Sequence, residues 1–256
     1  MRILVCIERN EFFVPEFLAR ILTEHPDDFE IMVAVTHSKR DLAKKLRTVW
    51  WKMCFFRLAG LVKLALLLVE KKFCSFALNR RQVKHVYSLR DVERKFHINI
   101  LDFKDINSAD GIKRLEDLAT DVLFSMQDVI LKPAVLKTAK IGCINKHAAL
   151  LPNYRGVWPV FWYLLNDERR VGFTLHEMTE RIDDGRILYQ EAIPVAVGDT
   201  VFNLYKKIFE KLPNGFYESI RLLVANAGRY VEPGTYYSLP TRAQIKEFYR
   251  KGYKVV

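Results

Sequence analysis

An amide and an imidazole stand two positions apart at Asn145 and His147, just after the short apolar run Ile141-Gly142-Cys143-Ile144. That run reads as a strand. Side chains two apart on extended backbone point to one face, so both groups can address a single substrate atom. The amide donates hydrogen bonds, and the imidazole does so when protonated. Leu150-Leu151-Pro152 then ends the strand, because proline cannot donate to a ladder. A carboxylate, Asp183, arrives much later, before Asp184-Gly185, where turn chemistry separates two apolar runs. Near an imidazole, a carboxylate can hold the charged ring or take a proton through water. Asp183 can also be only a turn former, and a single His after a strand is more often structural than chemical.

The surrounding order carries more weight than any one residue. Asn145-x-His147, Leu150-Leu151-Pro152, Tyr154-Arg155-Gly156, Thr174-Leu175-His176-x-Met178 and Asp183-x-Gly185 follow one another along the chain. Together they resemble the folate-dependent formyltransferase family, closely over residues 121–190 and more loosely over 1–223. The resemblance implies that Asn145, His147 and Asp183 form a catalytic trio, with 10-formyltetrahydrofolate as the formyl-donor cosubstrate. A neutral primary amine would attack the formyl carbon, and the Asn145 amide and a protonated His147 would donate to the developing oxyanion. Whether Asp183 orients the imidazolium or takes the amine's proton stays open. Gln127-Asp128-Val129-Ile130-Leu131 matches the family's loop near the pteridine, which implies contact between the pterin and the backbone of Val129, Ile130 and Leu131. Plain packing explains those three residues equally well. Tyr154 and Trp158 are acceptor-site candidates, with core packing as the competing account. Relatives often carry Ser where this chain has Ala149.

The elements that must position these residues read as an α/β chain. Arg2–Ile7 and Glu30–Thr36 are buried strands, with a helix from Pro15 to Glu24 between them. This alternation predicts a Rossmann-like, doubly wound, mostly parallel sheet. The loop after the first strand, Glu8-Arg9-Asn10-Glu11, has no Gly, which argues against nicotinamide-dinucleotide and P-loop binding. Within the resemblance, the same absence disfavours the glycinamide ribonucleotide branch. Strands are expected at Val83–Leu89, Ile98–Leu101 and Asp121–Ser125. Ser88 with Asp91 has capping-box spacing, and Ser108 caps a helix through Leu118. Val157–Leu165 reads as a buried helix, and Gly172–Met178 and Ile187–Pro194 as strands flanking the Asp183 turn. Thr200 caps the next helix, with Pro213-Asn214-Gly215 interrupting it. His176-Glu177-x-x-Glu180 lacks the second His of a zinc-protease helix, and no metal is expected.

The chain is half hydrophobic and 28% charged, as in a packed globular protein. Its net charge of +11 suggests anionic partners such as nucleotide phosphate, nucleic acid or acidic lipid. Four Cys lie scattered without C-x-x-C spacing, which fits a reducing, cytoplasmic setting, and no signal peptide is apparent after Met1. Residues 39–84 form a basic, apolar insertion carrying Trp50, Trp51, Phe55, Phe56 and a Leu-rich run. There Lys45, Lys52, Lys63 and Glu70 recur at helical spacing, which predicts one polar stripe, with Gly60 as a break. The insertion has two readings. It is a helical subdomain or homodimer interface, or it rests on the cytoplasmic face of an anionic membrane. Residues 1–225 read as the catalytic domain and 226–256 as a short extension. Methionyl-tRNA formyltransferases carry a further tRNA-holding barrel, for which that extension has no room. Its Tyr237-x-x-Pro240-Thr241 ending looks like the short amino-sugar enzymes. The leading expectation is an N-formyltransferase acting on a nucleotide-linked amino sugar. Formylation of methionyl-tRNA ranks second, and a non-catalytic membrane-surface or assembly module third.

Overall fold

The computed structural model describes residues 1–37, 42–79, 82–232 and 234–256, with backbone only for 42–52. Through the first half the elements run β1 (Arg2–Ile7), α1 (Val14–Thr23), β2 (Glu30–Thr36), α2 (Leu42–Leu78), α3 (Leu89–Phe96), β3 (Leu101–Phe103), α4 (Ala109–Leu118) and β4 (Val122–Met126). There follow α5 (Pro133–Leu136), β5 (Gly142–His147), β6 (Arg155–Gly156), α6 (Pro159–Leu165), β7 (Arg170–Glu177) and β8 (Ile187–Pro194). The chain closes with α7 (Val201–Val224), β9 (Tyr236–Tyr237) and α8 (Arg242–Arg250).

Seven strands form one sheet in the order β3-β2-β1-β4-β5-β7-β8. The first five in that order are parallel, and β7 and β8 close the edge as antiparallel strands. The expected Rossmann-like, mostly parallel architecture is therefore present. Strands of the parallel part are apolar on both faces, because helices cover both. The larger core joins Phe17, Phe124, Phe161, Phe173 and Phe216 under α1, α6 and α7. A smaller core holds Leu4, Leu123, Leu115 and Val135 under α4 and α5, with Cys6 and Cys143 among them. Both thiols are free, and burial, followed by the Glu177 charge, pushes Cys143 up to about 12. Chain direction across the sheet reverses between β1 and β4, where open α/β sheets leave a crevice at the carboxyl ends. Strand β5 ends one strand away from that point.

Several expectations change on contact with tertiary structure. Helix α7 runs through Pro213 and Gly215 without a break. Its apolar face is buried along the whole length, and at Gly215 a Cβ would lie 2.2 Å from the Tyr189 ring. Burial of that face outweighs the one hydrogen bond that Pro213 cannot donate. Val83–Leu89 is not a strand. The Asn79 side chain takes its backbone instead, donating to the His85 carbonyl at 2.6 Å and accepting from Lys84 N at 3.1 Å. The strand expected at Ile98–Leu101 lies further along, at Leu101–Phe103. The Ser88 capping box and the Ser108 and Thr200 caps all form.

Helix α2 departs most from expectation. At Arg57 the backbone turns to φ 53° and ψ 167°, which breaks the helix three residues before Gly60. The helical phase is lost there, so Lys45 and Lys52 do not continue into the Lys63 and Glu70 face. Side chains of Trp50 and Trp51 lie outside the described residues. Among the described residues, no helix is long and apolar enough to cross a membrane. Residues 226–256 pack onto the rest of the chain: Phe248 stacks on Phe161 at 4.7 Å, and β9 pairs with β6.

Candidate active site

Sheet register brings the candidate residues together. Asn145 and His147 share one face of β5, as expected from their spacing. Opposite them in β7, His176 pairs with Asn145 and Thr174 with His147. Asp183 sits in the connection between β7 and β8, at φ 50°. Its Oδ2 lies 3.7 Å from His147 Nδ1, and its Oδ1 lies 3.6 Å from His176 Nε2 and 3.5 Å from Asn145 Nδ2. The neck of that connection is held by Glu177 N donating to the Arg186 carbonyl and by Arg186 Nε on Glu177 at 2.6 Å.

Fixed protons follow from the partners. His147 Nε2 lies 2.8 Å from the Tyr154 carbonyl, which can only accept, so Nε2 carries the hydrogen. The buried ring is pushed below its ordinary range by desolvation, against the pull of Asp183. A neutral ring with its hydrogen on Nε2 presents a lone pair at Nδ1, on the side of Asp183. This differs from the protonated donor expected from sequence. His176 Nδ1 donates to the Glu177 carbonyl at 2.9 Å, and its Nε2 lies 3.2 Å from the Asn145 amide nitrogen. Asp183 is buried, which alone would raise its pKa. The neighbouring His176, the charge that His147 takes on when protonated, and the Gly156 N–H at 3.0 Å outweigh that and bring it to about 2. The cluster thus joins a carboxylate that favours its ionised form, a neutral imidazole with its lone pair at Nδ1, and an amide donor.

The other candidates lie in different places. The Tyr154 ring is buried between Tyr163 at 3.9 Å and Tyr237 at 5.2 Å, with its hydroxyl donating to Glu168. It reaches the cluster through its carbonyl, so its side chain is not an acceptor contact in this arrangement. Trp158 packs on Phe55 and Phe56 of α2, at 4.7 Å and 6.1 Å. Val129, Ile130 and Leu131 follow β4 at the same carboxyl edge of the sheet. Leu131 is buried and Val129 half-buried, while Ile130 is exposed. Asn107 tethers this loop by donating to the Ile130 carbonyl and accepting from Lys132 N. Ala149 is fully buried, and its carbonyl accepts from the Thr174 hydroxyl at 2.6 Å. Sequence reasoning used His176 and Gly156 only as parts of a motif. Strand pairing between β5 and β7 was the signal that would have placed His176 beside Asn145.

Residues 90–220 match the model of the formyl transferase family, described as "Formyl transferase", which is half of the chain. The chain belongs to this family. It is 41% identical over 122 residues to the bifunctional polymyxin resistance protein ArnA of Wigglesworthia glossinidia brevipalpis, covering 47% of this chain and 19% of that one. It is 32% identical over 130 residues to the methionyl-tRNA formyltransferase of Enterococcus faecalis, covering 50% and 42%. The chain thus matches less than half the length of these relatives. In fold it is similar to a sugar N-formyltransferase from a Shewanella species, with a TM-score of 0.60 at 17% identity over 96% of this chain and 86% of that one. A Helicobacter canadensis N-formyltransferase, solved with folinic acid and dTDP-3-aminofucose, aligns with a TM-score of 0.54 at 21% identity over 97% and 79%. Glycinamide ribonucleotide transformylase 1 of Symbiobacterium toebii aligns with a TM-score of 0.59 at 20% identity over 92% of each.

Proposed function

We propose that this chain transfers the formyl group of 10-formyltetrahydrofolate to the primary amine of a nucleotide-linked amino sugar. The observation that carries the chemistry is the Asn145, His147 and Asp183 cluster at the carboxyl edge of a formyl transferase fold. The amine lone pair forms a bond to the formyl carbon, and the bond from that carbon to the folate nitrogen breaks. His147 Nδ1 takes the proton that the amine loses, and that proton leaves with the folate nitrogen. Asp183 stabilises the imidazolium formed in between, since a carboxylate with a pKa of about 2 is a weak base. The Asn145 amide turns from its long contacts, 3.2 Å and 3.5 Å, towards the developing oxyanion. Backbone groups of Val129, Ile130 and Leu131 line the donor side. The Tyr154 carbonyl positions His147.

Support for a sugar acceptor comes from the sugar N-formyltransferase neighbours and from the loop after β1. In that loop Asn10 Oδ1 accepts from Phe12 N and Phe13 N, and Glu11 accepts from Leu89 N. Two backbone amides of that loop, at Phe12 and Phe13, are thus taken by the loop's own Asn10 side chain and are not open to a phosphate. The deciding experiment incubates the protein with 10-formyltetrahydrofolate and a panel of amino-sugar nucleotides, glycinamide ribonucleotide and methionyl-tRNA, following released tetrahydrofolate. Turnover with an amino-sugar nucleotide is expected. Efficient, steeply salt-dependent formylation of methionyl-tRNA would replace the sugar reading.

The base assignment has its own check. An NMR titration should find His147 gaining charge only below the ordinary imidazole value of 6.5, because burial disfavours the charged ring. Lowering the pH through that depressed value removes the lone pair and the activity together. A His147 pKa above 6.5 would rule out a neutral resting base.

A further inference from the structure

We propose that the outer face of α2, from Leu58 to Phe76, docks on the surface of an anionic lipid bilayer. Three observations meet on this one segment, and none depends on the proposed formyl transfer. The first is an apolar stripe. Leu58, Val62, Leu66, Val69, Phe73 and Phe76 recur every three or four residues, on one side of the helix. Each is between 50% and 77% exposed. Large apolar side chains in a row on a soluble surface mark a contact site.

The second observation fixes which way the stripe points. Across the helix, Lys71 donates to the Phe12 carbonyl at 2.8 Å and Ser75 donates to Asp91 at 3.0 Å. Just beyond the helix end, Asn79 donates to the His85 carbonyl. At the kink, Phe55 is buried against Trp158 and Phe161, and the Arg57 guanidinium lies 3.6 Å over the Tyr249 ring. The inner face is committed to the domain, so the stripe is held outwards. From Leu58 to Leu78 the helix is about 30 Å long and lies along the domain.

The third observation is the charge. Residues 39–84 contain 13 of the 41 Lys and Arg and 2 of the 30 Asp and Glu, a net of +11. That equals the net charge of the whole chain, because the remaining 28 cations and 28 anions cancel. Lys63 and Lys72 beside the stripe, and Lys84 beyond it, are exposed. An apolar row flanked by cations is what an interfacial helix needs, since the row enters the acyl boundary while cations meet acidic headgroups. Pairing the stripe with a second copy would instead bring two segments of +11 together. Nucleic acid would satisfy the cations and leave the apolar row in water.

Co-sedimentation of the full chain with vesicles decides the matter. Vesicles of equal parts phosphatidylcholine and phosphatidylglycerol should retain the protein at low salt, and pure phosphatidylcholine should not. About 0.5 M NaCl should release most of it. A Leu66→Ser, Phe73→Ser, Phe76→Ser variant should bind roughly tenfold more weakly while keeping its melting temperature, because these side chains already face solvent. Three results would overturn the proposal. The parent could ignore the acidic vesicles. The variant could bind as well as the parent, which would mean adsorption by charge alone. Or the parent could run as a dimer that these substitutions split, which would give the stripe to a second copy.

Discussion

His147→Gln should lower kcat on the order of a thousandfold, in the range for loss of a positioned proton acceptor. Glutamine keeps an N–H that can reach the Tyr154 carbonyl, which His147 Nε2 now contacts at 2.8 Å. It has no lone pair where Nδ1 faces Asp183 at 3.7 Å. The variant therefore separates holding the loop from taking the proton. Its melting temperature should stay within a few degrees of the parent, while turnover collapses with any accepted amine. Asp183→Asn should cost nearly as much, since it removes the charge that stabilises imidazolium and keeps the shape. The double variant should be little worse than either single, as expected for groups acting as one unit. Near-normal turnover in His147→Gln would assign the proton to another group and leave His147 a structural ring.

The parallel core was legible in the sequence because its strands are nearly pure apolar runs. Arg2–Ile7 and Glu30–Thr36 begin and end where the pattern places them. The Asn145 and His147 pair was legible for a different reason, a period of two on one strand. What was hidden depends on contacts between distant residues. Nothing local shows that Asn79 will satisfy the backbone before Ser88, or that the Tyr189 ring will need the empty side of Gly215. The His147 tautomer was hidden too, because it depends on a carbonyl seven residues away that turns inwards at Tyr154, where φ is 60°. A positive φ at a tyrosine has no signature in its own side chain. Arg57 is similar, since nothing in its own side chain marks the turn, which comes three residues before Gly60.

Gly156→Ala should destabilise the fold by about 3 kcal/mol, through strain at a left-handed backbone and a backbone clash. Gly156 has φ +97°, and a Cβ there would lie 2.2 Å from the Tyr237 carbonyl, which cannot swing aside as a side chain could. That carbonyl accepts from Val157 N at 2.9 Å in the small β6 and β9 pair. For a chain of this size the loss corresponds to a melting temperature lower by about 10 °C. Gly198→Ala is the control. Its φ of +83° is similar but nothing lies within 4 Å, so only the backbone strain of about 1 kcal/mol should appear. Activity should separate the two further. Gly156 N–H donates to Asp183 at 3.0 Å, so moving this backbone also shifts the ionised carboxylate. Equal melting temperatures for the two variants would mean that the β6 and β9 pair yields at little cost.

The packing of Trp158 on Phe55 has a mechanical consequence. Trp158 is two residues from the Gly156 amide that steadies Asp183 and four from the Tyr154 carbonyl that sets the His147 proton. Phe55 lies at the bend of α2, two residues before Arg57. Ring contacts of Trp158 with Phe55 and Phe56 therefore join the outlying helix to the short backbone segment that holds Asp183 and His147. A displacement of that bend would be transmitted to the segment holding Asp183 and His147. Turnover measured with and without a surface under the helix would read that transmission directly, as a change in rate at constant substrate.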